Sequence, residues 1–355
     1  MRAAAASRQV IVVGAGVTGL LTAVECARAG HRVTLLDRGP VPNPGSSSSD
    51  QHRVIRTLSA DGADATGRMV AAHRRWLELE ALLGAGFYRR VGVVTARPRE
   101  QLASVTAAAA AAGVPVRTVE PQRLPHLAFP ADSAAVLEAD GGVLLADRVL
   151  RAAVRWLTGH PAVSVRPYSP VVRIDVDRAH VLLAGGEKLG ADLVLVAAGP
   201  WTRDLVEHQV VLHRQTMVYL RPPADAARWW RTAPAAGGIG ADGRAWAMPP
   251  GGGALLKISS DAVAREVPST SGSTQEDQAP WVERLARAAP LSGLERYTVA
   301  AVKECHYACA ADTGGAVLAR VGPAVWSRAA CGGSGFSQAP LVAGRIVDAL
   351  MKGAA

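Results

Sequence analysis

The sequence is poor in the residues and segments that mark several classes of protein. It has four cysteines in 355 residues, and Cys305 and Cys309 lack a second cysteine or histidine pair with which to form a zinc site. No apolar run reaches the roughly 20 residues of a membrane-spanning helix, and the first apolar segment runs into a glycine-rich loop instead of a secretory cleavage site. We therefore expect a cytoplasmic protein without a metal site and without a membrane partner.

Lysine and aromatic residues are also scarce. Only four lysines occur, aromatic residues make up 5% of the chain, and the net charge of +9 comes mainly from arginines scattered among Ala, Gly and Pro. These arginines form no basic run or helix face, and no aromatic residues alternate with them as in proteins that stack on bases. The charge therefore predicts no nucleic-acid partner, although an attraction for small anionic molecules stays open.

Apolar residues, in contrast, are plentiful. They make up 49% of the chain, which excludes a disordered protein and predicts a large buried interior. A chain of this length suits two domains rather than one small core.

The N-terminal region has the pattern of a dinucleotide-binding site. Residues 9–13 form a short apolar run typical of a buried parallel strand, and a Gly-x-Gly-x-x-Gly motif follows directly. In this motif Gly14 makes the tight turn, Gly16 lets the backbone approach a pyrophosphate, and Gly19 lets helix and strand pack closely. The following helix presents free N–H groups and a partial positive charge to phosphates. Asp37 ends the second strand, where a carboxylate accepts hydrogen bonds from a ribose diol.

This pattern leaves FAD and NAD open, and the region beyond Asp37 favours FAD. The carboxylate disfavours a 2′-phosphate, although Arg38 beside it weakens that preference. An NAD domain continues with regular βαβ repeats, whereas here a loop rich in Pro and Ser follows, whose composition also suits a flexible linker. Two distant segments return to the nucleotide fold, a strand ending in a turn at 199–201 and a glycine-rich helix start at 332–336. The dipole of that second helix could stabilise the negative charge of a reduced flavin.

The order of these motifs resembles the D-amino-acid-oxidase superfamily, and within it the branch of sarcosine oxidases and N-methyltryptophan oxidases. The similarity runs nearly from end to end, and the segments that carry it are Gly14-x-Gly16-x-x-Gly19 with Asp37, Ser48-x-x-x-x-Arg53-x-x-Arg56, 141–144, 197–201, 256–258, 305–307, Asp312 and 332–336. The resemblance implies an α/β fold, with a Rossmann-type, glutathione-reductase-like FAD domain interleaved with an antiparallel-sheet catalytic domain. We place the FAD domain in residues 1–80, 140–210 and 301–355, and the catalytic domain in 81–139 and 211–300.

The same resemblance implies which residues contact the cofactor. They are Gly14, Gly16, Gly19, Asp37, Arg38, Ser48, Val172, Gly199, Trp201, Cys305, Gly332, Gly333, Gly335 and Phe336. Cys305 matches the cysteine that forms a thioether to the flavin 8α-methyl group, so we expect covalent FAD. The alternative for Cys305 is a small packed thiol.

Two further residues gain roles from the resemblance. Lys257 matches a lysine over the flavin that activates oxygen, where a fixed ammonium stabilises the charge that O2 acquires. Its alternative is a strand lysine that points to solvent. Arg53 matches an arginine that binds the substrate carboxylate through two parallel hydrogen bonds.

The chain departs from the family on the reacting face. Ser337 replaces a lysine that is the second carboxylate anchor, Asp261 replaces a histidine, and Ser48 and Ser49 stand where relatives carry histidines. Asp261 could hold an amine cation or accept its proton. These departures put an amino-acid substrate in doubt and make simple sarcosine an unexpected substrate. His52, His213 and Tyr219 are weaker site candidates, since packing or surface positions are the ordinary interpretation.

We therefore predict a monomeric FAD-dependent oxidase of a secondary or cyclic amine or amino acid. Hydride transfer from the α-carbon to flavin N5 yields an imine, and O2 is reduced to H2O2. Two alternatives stay open: a flavin dehydrogenase that passes electrons to a carrier, and a non-catalytic flavin-binding relative.

Overall fold

The computed structural model describes residues 6–59 and 61–352. The ends of the predicted FAD domain, 1–5 and 353–355, lie outside the described residues, as does residue 60. Within the described residues the strands are β1 (Gln9–Val13), β2 (Arg32–Leu36), β3 (Arg53–Ile55), β4 (Tyr88–Arg89), β5 (Val93–Pro98), β6 (Val116–Val119), β7 (Ser133–Glu138), β8 (Gly142–Leu144), β9 (Val163–Arg166), β10 (Val171–Asp175), β11 (His180–Leu183), β12 (Lys188–Gly190), β13 (Leu193–Val196), β14 (Val210–Arg221), β15 (Ala235–Ile239), β16 (Ala245–Met248), β17 (Leu256–Ser260), β18 (Ala264–Glu266), β19 (Thr298–Ala310), β20 (Ala316–Gly322) and β21 (Val325–Cys331). The α-helices there are α1 (Val17–Arg28), α2 (Ala63–Leu83), α3 (Leu102–Ala111), α4 (Ala146–Thr158), α5 (Ala224–Trp230), α6 (Gln275–Arg287) and α7 (Gly335–Lys352).

A six-stranded sheet forms the nucleotide-binding half, in the order β20-β21-β13-β1-β2-β9. Its pairs are parallel except for the antiparallel β20–β21 hairpin. Strand β1 alternates between two cores. Val10 and Val12 pack with helices α1, α4 and α7, whereas Ile11 and Val13 pack against the small sheet β10-β11-β12. Because both faces are covered, the central strands are continuous apolar runs.

A second, larger sheet forms the other half of the molecule. It has the order β18-β14-β17-β16-β15-β5-β7-β6, with β19 also paired to β14, and is antiparallel except where β15 meets β5. Val218, Leu220 and Ile258 lie in a core with residues of α5 and α6. Successive side chains of a strand point to opposite faces of a sheet. Lys257 therefore faces away from this core, because the next residue of its strand, Ile258, lies in it.

These sheets confirm the predicted fold class, an α/β nucleotide domain combined with a largely antiparallel sheet. The domain boundaries themselves stay a prediction, and one segment differs in its sheet membership. Residues 301–310, which we assigned to the FAD domain, belong to β19 and pair along β14 in the large sheet. This pairing runs from Val210 opposite Ala310 to Arg221 opposite Thr298. It is one of the longest strand pairings among the described residues.

Three local features complete the fold. Helix α6 begins at Gln275 because Thr274 forms a capping box with Asp277. Strands β10, β11 and β12 form a separate small sheet. The final helix, α7, begins at Gly335. None of the helices in the described ranges is long and apolar enough to cross a membrane.

The turn at Gly14 combines a left-handed backbone with a close approach to another strand end. Its φ is +101°, and a Cβ there would lie 2.5 Å from the carbonyl oxygen of Ala197 and 2.9 Å from the Cα of Ala198. We expect Gly14→Ala to lower the free energy of unfolding by about 1–3 kcal/mol. Chemical denaturation measures this change. Gly67→Ala in α2 is the control, because a Cβ there meets nothing within 4 Å, and it should leave stability unchanged or raise it. Equal stability of the two variants would contradict the proposed strain at Gly14.

Candidate functional site

A cavity of about 740 Å³ lies where the two sheets meet. One wall is formed at the carboxyl ends of β1, β2, β13 and β21, by Gly14, Asp37, Ala197 and Cys331. The other wall is formed by side chains of the large sheet. Ligands of open α/β sheets bind outside the carboxyl ends of the strands, so this cavity is the candidate site.

At the nucleotide end, Asp37 organises the glycine motif. Its Oδ2 accepts a hydrogen bond from the Ala15 N–H at 2.8 Å, and its Oδ1 accepts from the N–H of Gly39 and from Asn43 Nδ2, each at 2.9 Å. Ser48 Oγ accepts a hydrogen bond from the N–H of Val17, at the start of α1. Both residues line the cavity, so the predicted nucleotide contacts converge at one end.

Arg38 and Trp201 also meet at this end. The guanidinium of Arg38 lies 3.8 Å from the centre of the Trp201 ring, within the range of a cation–π contact. Gly199, which precedes Trp201 by two residues, has a φ of +61°. It lines the cavity together with the side chains of Arg38 and Trp201. Arg38 after β2 and Trp201 after β13 thus supply a flat, cationic surface at this end of the cavity.

Arg328 is a cavity residue that the sequence analysis missed. It lies on β21 and is buried, its Nε has no hydrogen-bond partner among the described residues, and burial lowers the pKa of its guanidinium. A buried donor without a partner is costly unless a ligand satisfies it. An arginine inside an apolar strand is the signal that could have identified it. The glycine turn at Gly14 and this free donor in the wall of the same cavity fit a ligand with phosphate and carbonyl oxygens, such as FAD.

Lys257 is fully buried and points into the molecule, so the solvent-facing alternative is wrong. Its Nζ donates to Asp50 Oδ2 at 2.9 Å and to the His52 carbonyl oxygen at 2.6 Å, and it lies 5.7 Å from the centre of the Trp246 ring. Burial lowers the pKa of Lys257 well below its usual range, and the charge of Arg53 lowers this pKa further. The ion pair with Asp50 acts in the opposite direction and favours the ammonium.

Arg53 lies beside Lys257 and shares its partner. Its Nη1 forms an ion pair with Asp50, and its Nη2 donates to the Ser47 carbonyl oxygen at 2.8 Å. The guanidinium also lies 6.0 Å from the centre of the Phe336 ring. The predicted substrate anchor therefore lines the cavity but already has an anionic partner.

Cys305 is brought to the same wall of the cavity. Burial raises the pKa of its thiol, while the positive charges of Arg53, Lys257 and Lys303 lower it. Lys303 donates to the Ser49 carbonyl oxygen, which ties β19 to the loop before β3. Arg53, Lys257 and Cys305, which are far apart in the sequence, thus surround one region of the cavity.

Other predicted site residues divide into those that line the cavity and those that do not. Asp261 lines it, and burial raises the pKa of its carboxyl group. Val172 does not line it and is 53% exposed, because Val171 is the residue of β10 that faces inward. The remaining predicted contacts that line the cavity are Gly16, Gly333, Gly335 and Phe336, whereas Gly19 and Gly332 support the adjoining turns without lining it.

The chain matches one known protein family over nearly its whole length. The profile of the family described as "FAD dependent oxidoreductase" matches residues 9–349. Human peroxisomal sarcosine oxidase is 29% identical over 205 residues, which make up 55% of this chain and 51% of that protein. Monomeric sarcosine oxidase of Bacillus sp. (strain B-0618) is 27% identical over 206 residues, 56% of this chain and 52% of that protein. The chain spans about half the length of these curated relatives.

A solved structure extends the comparison to nearly the whole fold. NikD, described as an unusual amino acid oxidase essential for nikkomycin biosynthesis, superposes with a TM-score of 0.78 and 18% identity. The superposition covers 96% of this chain and 93% of that one. At this identity the likeness shows a shared fold and no more.

His52, whose carbonyl oxygen contacts Lys257, generates a prediction for pH dependence. Burial and the charge of Lys257 lower the pKa of its imidazole to about 3. An unfolded histidine takes up its proton near pH 6.5, so acidification stabilises the unfolded chain between these values. We expect His52→Leu to reduce the slope of unfolding free energy against pH by about 1.4 kcal/mol per pH unit between about pH 6 and 4. Denaturant unfolding across this range measures it, and identical slopes for the two proteins would contradict a neutral, buried His52.

Proposed function

The chain belongs to the family of FAD-dependent oxidoreductases, and from this premise we propose that it is an oxidase of a secondary or cyclic amine. The observation that carries the proposal is the convergence of Lys257, Arg53 and Cys305 around one region of the cavity, opposite the glycine motif. The names of the sarcosine oxidase relatives support the choice of an amine as the electron donor.

FAD, when bound, supplies the acceptor for a hydride from the carbon next to the amine nitrogen and passes the electrons to O2, so that the products are an imine and H2O2. The residues of the chain have separate tasks around this chemistry. The glycine motif and Asp37 hold the nucleotide portion, and Arg328 donates to the cofactor from the cavity wall. The apolar side chains Met217, Trp246 and Met248 line the cavity and limit water near the reacting carbon.

Lys257 supplies a fixed positive charge in a place that water does not reach. A preorganised charge in a desolvated site stabilises developing negative charge far more than the same charge in water. Its hydrogen bonds to Asp50 and to the His52 carbonyl fix the ammonium in position. We propose that this ammonium promotes electron transfer to O2, which makes the protein an oxidase rather than a dehydrogenase.

Asp261 is suited to handle the proton of the substrate amine. Hydride transfer requires the neutral amine, so a base near the nitrogen assists the reaction. Burial raises the pKa of the Asp261 carboxyl group, which brings it closer to the range in which it accepts a proton from an ammonium group.

Cys305 is proposed to carry the flavin through its 8α-methyl group. Burial raises the pKa of its thiol, and the positive charges of Arg53, Lys257 and Lys303 act against this and favour the thiolate, the nucleophilic form of cysteine. We further propose a monomeric, cytoplasmic enzyme, for which the relatives named monomeric sarcosine oxidase offer support on the first point.

The oxidase proposal is tested by separating reduction of the flavin from its reoxidation. Anaerobic mixing of the FAD-loaded protein with a panel of secondary and cyclic amines should bleach the visible absorbance of the flavin, in the wild type and in Lys257→Met. When air is admitted, we expect the colour of Lys257→Met to return about a hundred-fold or more slowly than that of the wild type. Lys188→Met is the matched control, because Lys188 is exposed on β12, and it should behave as wild type.

Three outcomes would contradict parts of this proposal. If no amine bleaches the flavin, the amine oxidase function is wrong. If reduced wild-type protein ignores O2 but is reoxidised by an added electron carrier, the protein is a dehydrogenase. If Lys257→Met regains its colour as fast as the wild type, the ammonium has no role in the reaction with O2.

Covalent attachment is tested by denaturing the holoprotein in acid. The yellow colour should stay with precipitated wild-type protein and pass to the supernatant for Cys305→Ser. Cys331→Ser is the matched control, because Cys331 also lines the cavity, and its colour should stay with the protein. Release of all colour from the wild type would show that the flavin is not attached, and release from Cys331→Ser alone would assign the bond to the other cysteine.

A further inference from the structure

Asp50 is a buried carboxylate that pairs with two cations of the cavity wall, Arg53 and Lys257, without lining the cavity itself. Its side chain has no exposure to water. Oδ2 faces both Lys257 Nζ at 2.9 Å and Arg53, while Oδ1 accepts hydrogen bonds from the Tyr219 hydroxyl at 2.5 Å and the Gln51 N–H at 2.6 Å. Burial raises the pKa of the Tyr219 hydroxyl to about 12, so this phenol stays a donor. Both carboxylate oxygens are therefore fully engaged.

The predicted carboxylate anchor, Arg53, consequently already has an anionic partner within the protein. Lys257 and Arg53 share Asp50, and Arg56 pairs with the buried Glu138 at 3.4 Å. Ser337 lines the cavity and donates its hydroxyl hydrogen bond to the Ser334 carbonyl at 3.1 Å, so it adds no charge. Arg244, an exposed residue of the cavity wall, lies close enough to Asp261 to lower the pKa of that carboxyl group.

A substrate carboxylate would therefore compete with Asp50 for the Arg53 guanidinium. If the Arg53 guanidinium leaves Asp50 to receive it, the buried carboxylate keeps fewer partners in a region of low dielectric. If the guanidinium stays, the charge of Asp50 offsets part of the attraction that Arg53 would otherwise offer to the incoming carboxylate. An uncharged group at the same place incurs neither cost.

We propose that Asp50 is the built-in counter-ion of Arg53 and that it selects amines whose reacting carbon carries no carboxylate. Asp50 acts as a specificity-determining residue through Arg53, and it does not touch the reacting atoms. The choice of an amine substrate rests on the proposed oxidase function, whereas the exclusion of carboxylates does not.

The first test uses the wild-type holoprotein and matched pairs of compounds. Pyrrolidine is compared with proline, piperidine with pipecolate, and N-methylbenzylamine with N-methylphenylglycine, by anaerobic reduction of the flavin. We expect the member without a carboxylate to reduce the flavin about ten-fold or more efficiently in every pair that reacts. A preference for the carboxylated member would overturn the proposal. If no compound reacts, the oxidase function is wrong, and the binding test below still decides the role of Asp50.

The second test measures binding without turnover. Benzoate and its neutral analogue benzyl alcohol are titrated into the holoprotein, and the change in flavin absorbance gives their dissociation constants. We expect Asp50→Asn to bind benzoate about ten-fold or more tightly than the wild type, with benzyl alcohol unchanged. The double variant Asp50→Asn/Arg53→Gln should return benzoate affinity to within about two-fold of the wild type, because the freed guanidinium is then absent.

Asp225→Asn is the control for this binding test. It removes a carboxylate from an exposed ion pair with Arg296, 2.9 Å away and outside the cavity, and should leave benzoate binding unchanged. Equal benzoate affinity in Asp50→Asn and the wild type would overturn the proposal, as would a gain that persists in the double variant. If Asp50→Asn does not fold or loses its flavin, the wild-type comparison of matched pairs decides the question.

Discussion

The pairing of the buried Lys257 ammonium with a carboxylate is the constraint on which the large-sheet wall of the cavity depends. Lys257 has no contact with water, and an isolated charge of this kind is too costly to remain ionised. Asp50 removes that cost, but a buried carboxylate must in turn satisfy all its lone pairs, which draws in Arg53, Tyr219 and a backbone N–H. One charge in the large sheet thus fixes the conformation of the loop that precedes β3.

Strand β14 converts this local cluster into a site with defined geometry. It lies between β17 and β19, with Tyr219 opposite Lys257 and Gln215 opposite Cys305. Alternate residues of β14 face the cavity, and the residues between them, including Val218, fill the core beneath. A shift of β17 or β19 by one residue relative to β14 would turn Lys257 or Cys305 towards that core. The packing of Val218 and its neighbours therefore also sets the positions of these two side chains.

The nucleotide half was largely predictable from the sequence, and the substrate half only in part. Glycine spacing, the strand before it and Asp37 are local features, so β1 and α1 were located within a few residues. Lys257 was identifiable because lysine is rare in apolar strands. Asp50 and Arg328 were missed because their significance depends on partners, or on the lack of them, that only the folded chain reveals. Val172, a cofactor contact that the resemblance implied, is exposed, and its neighbour Val171 lines the cavity instead.

The two ends of the cavity are built by different physical means. The nucleotide end uses backbone N–H groups, a helix terminus and glycines, whose geometry admits few substitutions. The end lined by Arg53 and Lys257 uses side-chain charges instead. Asp50 lowers the net positive charge at this end because it pairs with both cations, and Ser337 adds no charge there. A fold that keeps its cofactor geometry can therefore alter its substrate class through the charge balance of a few side chains.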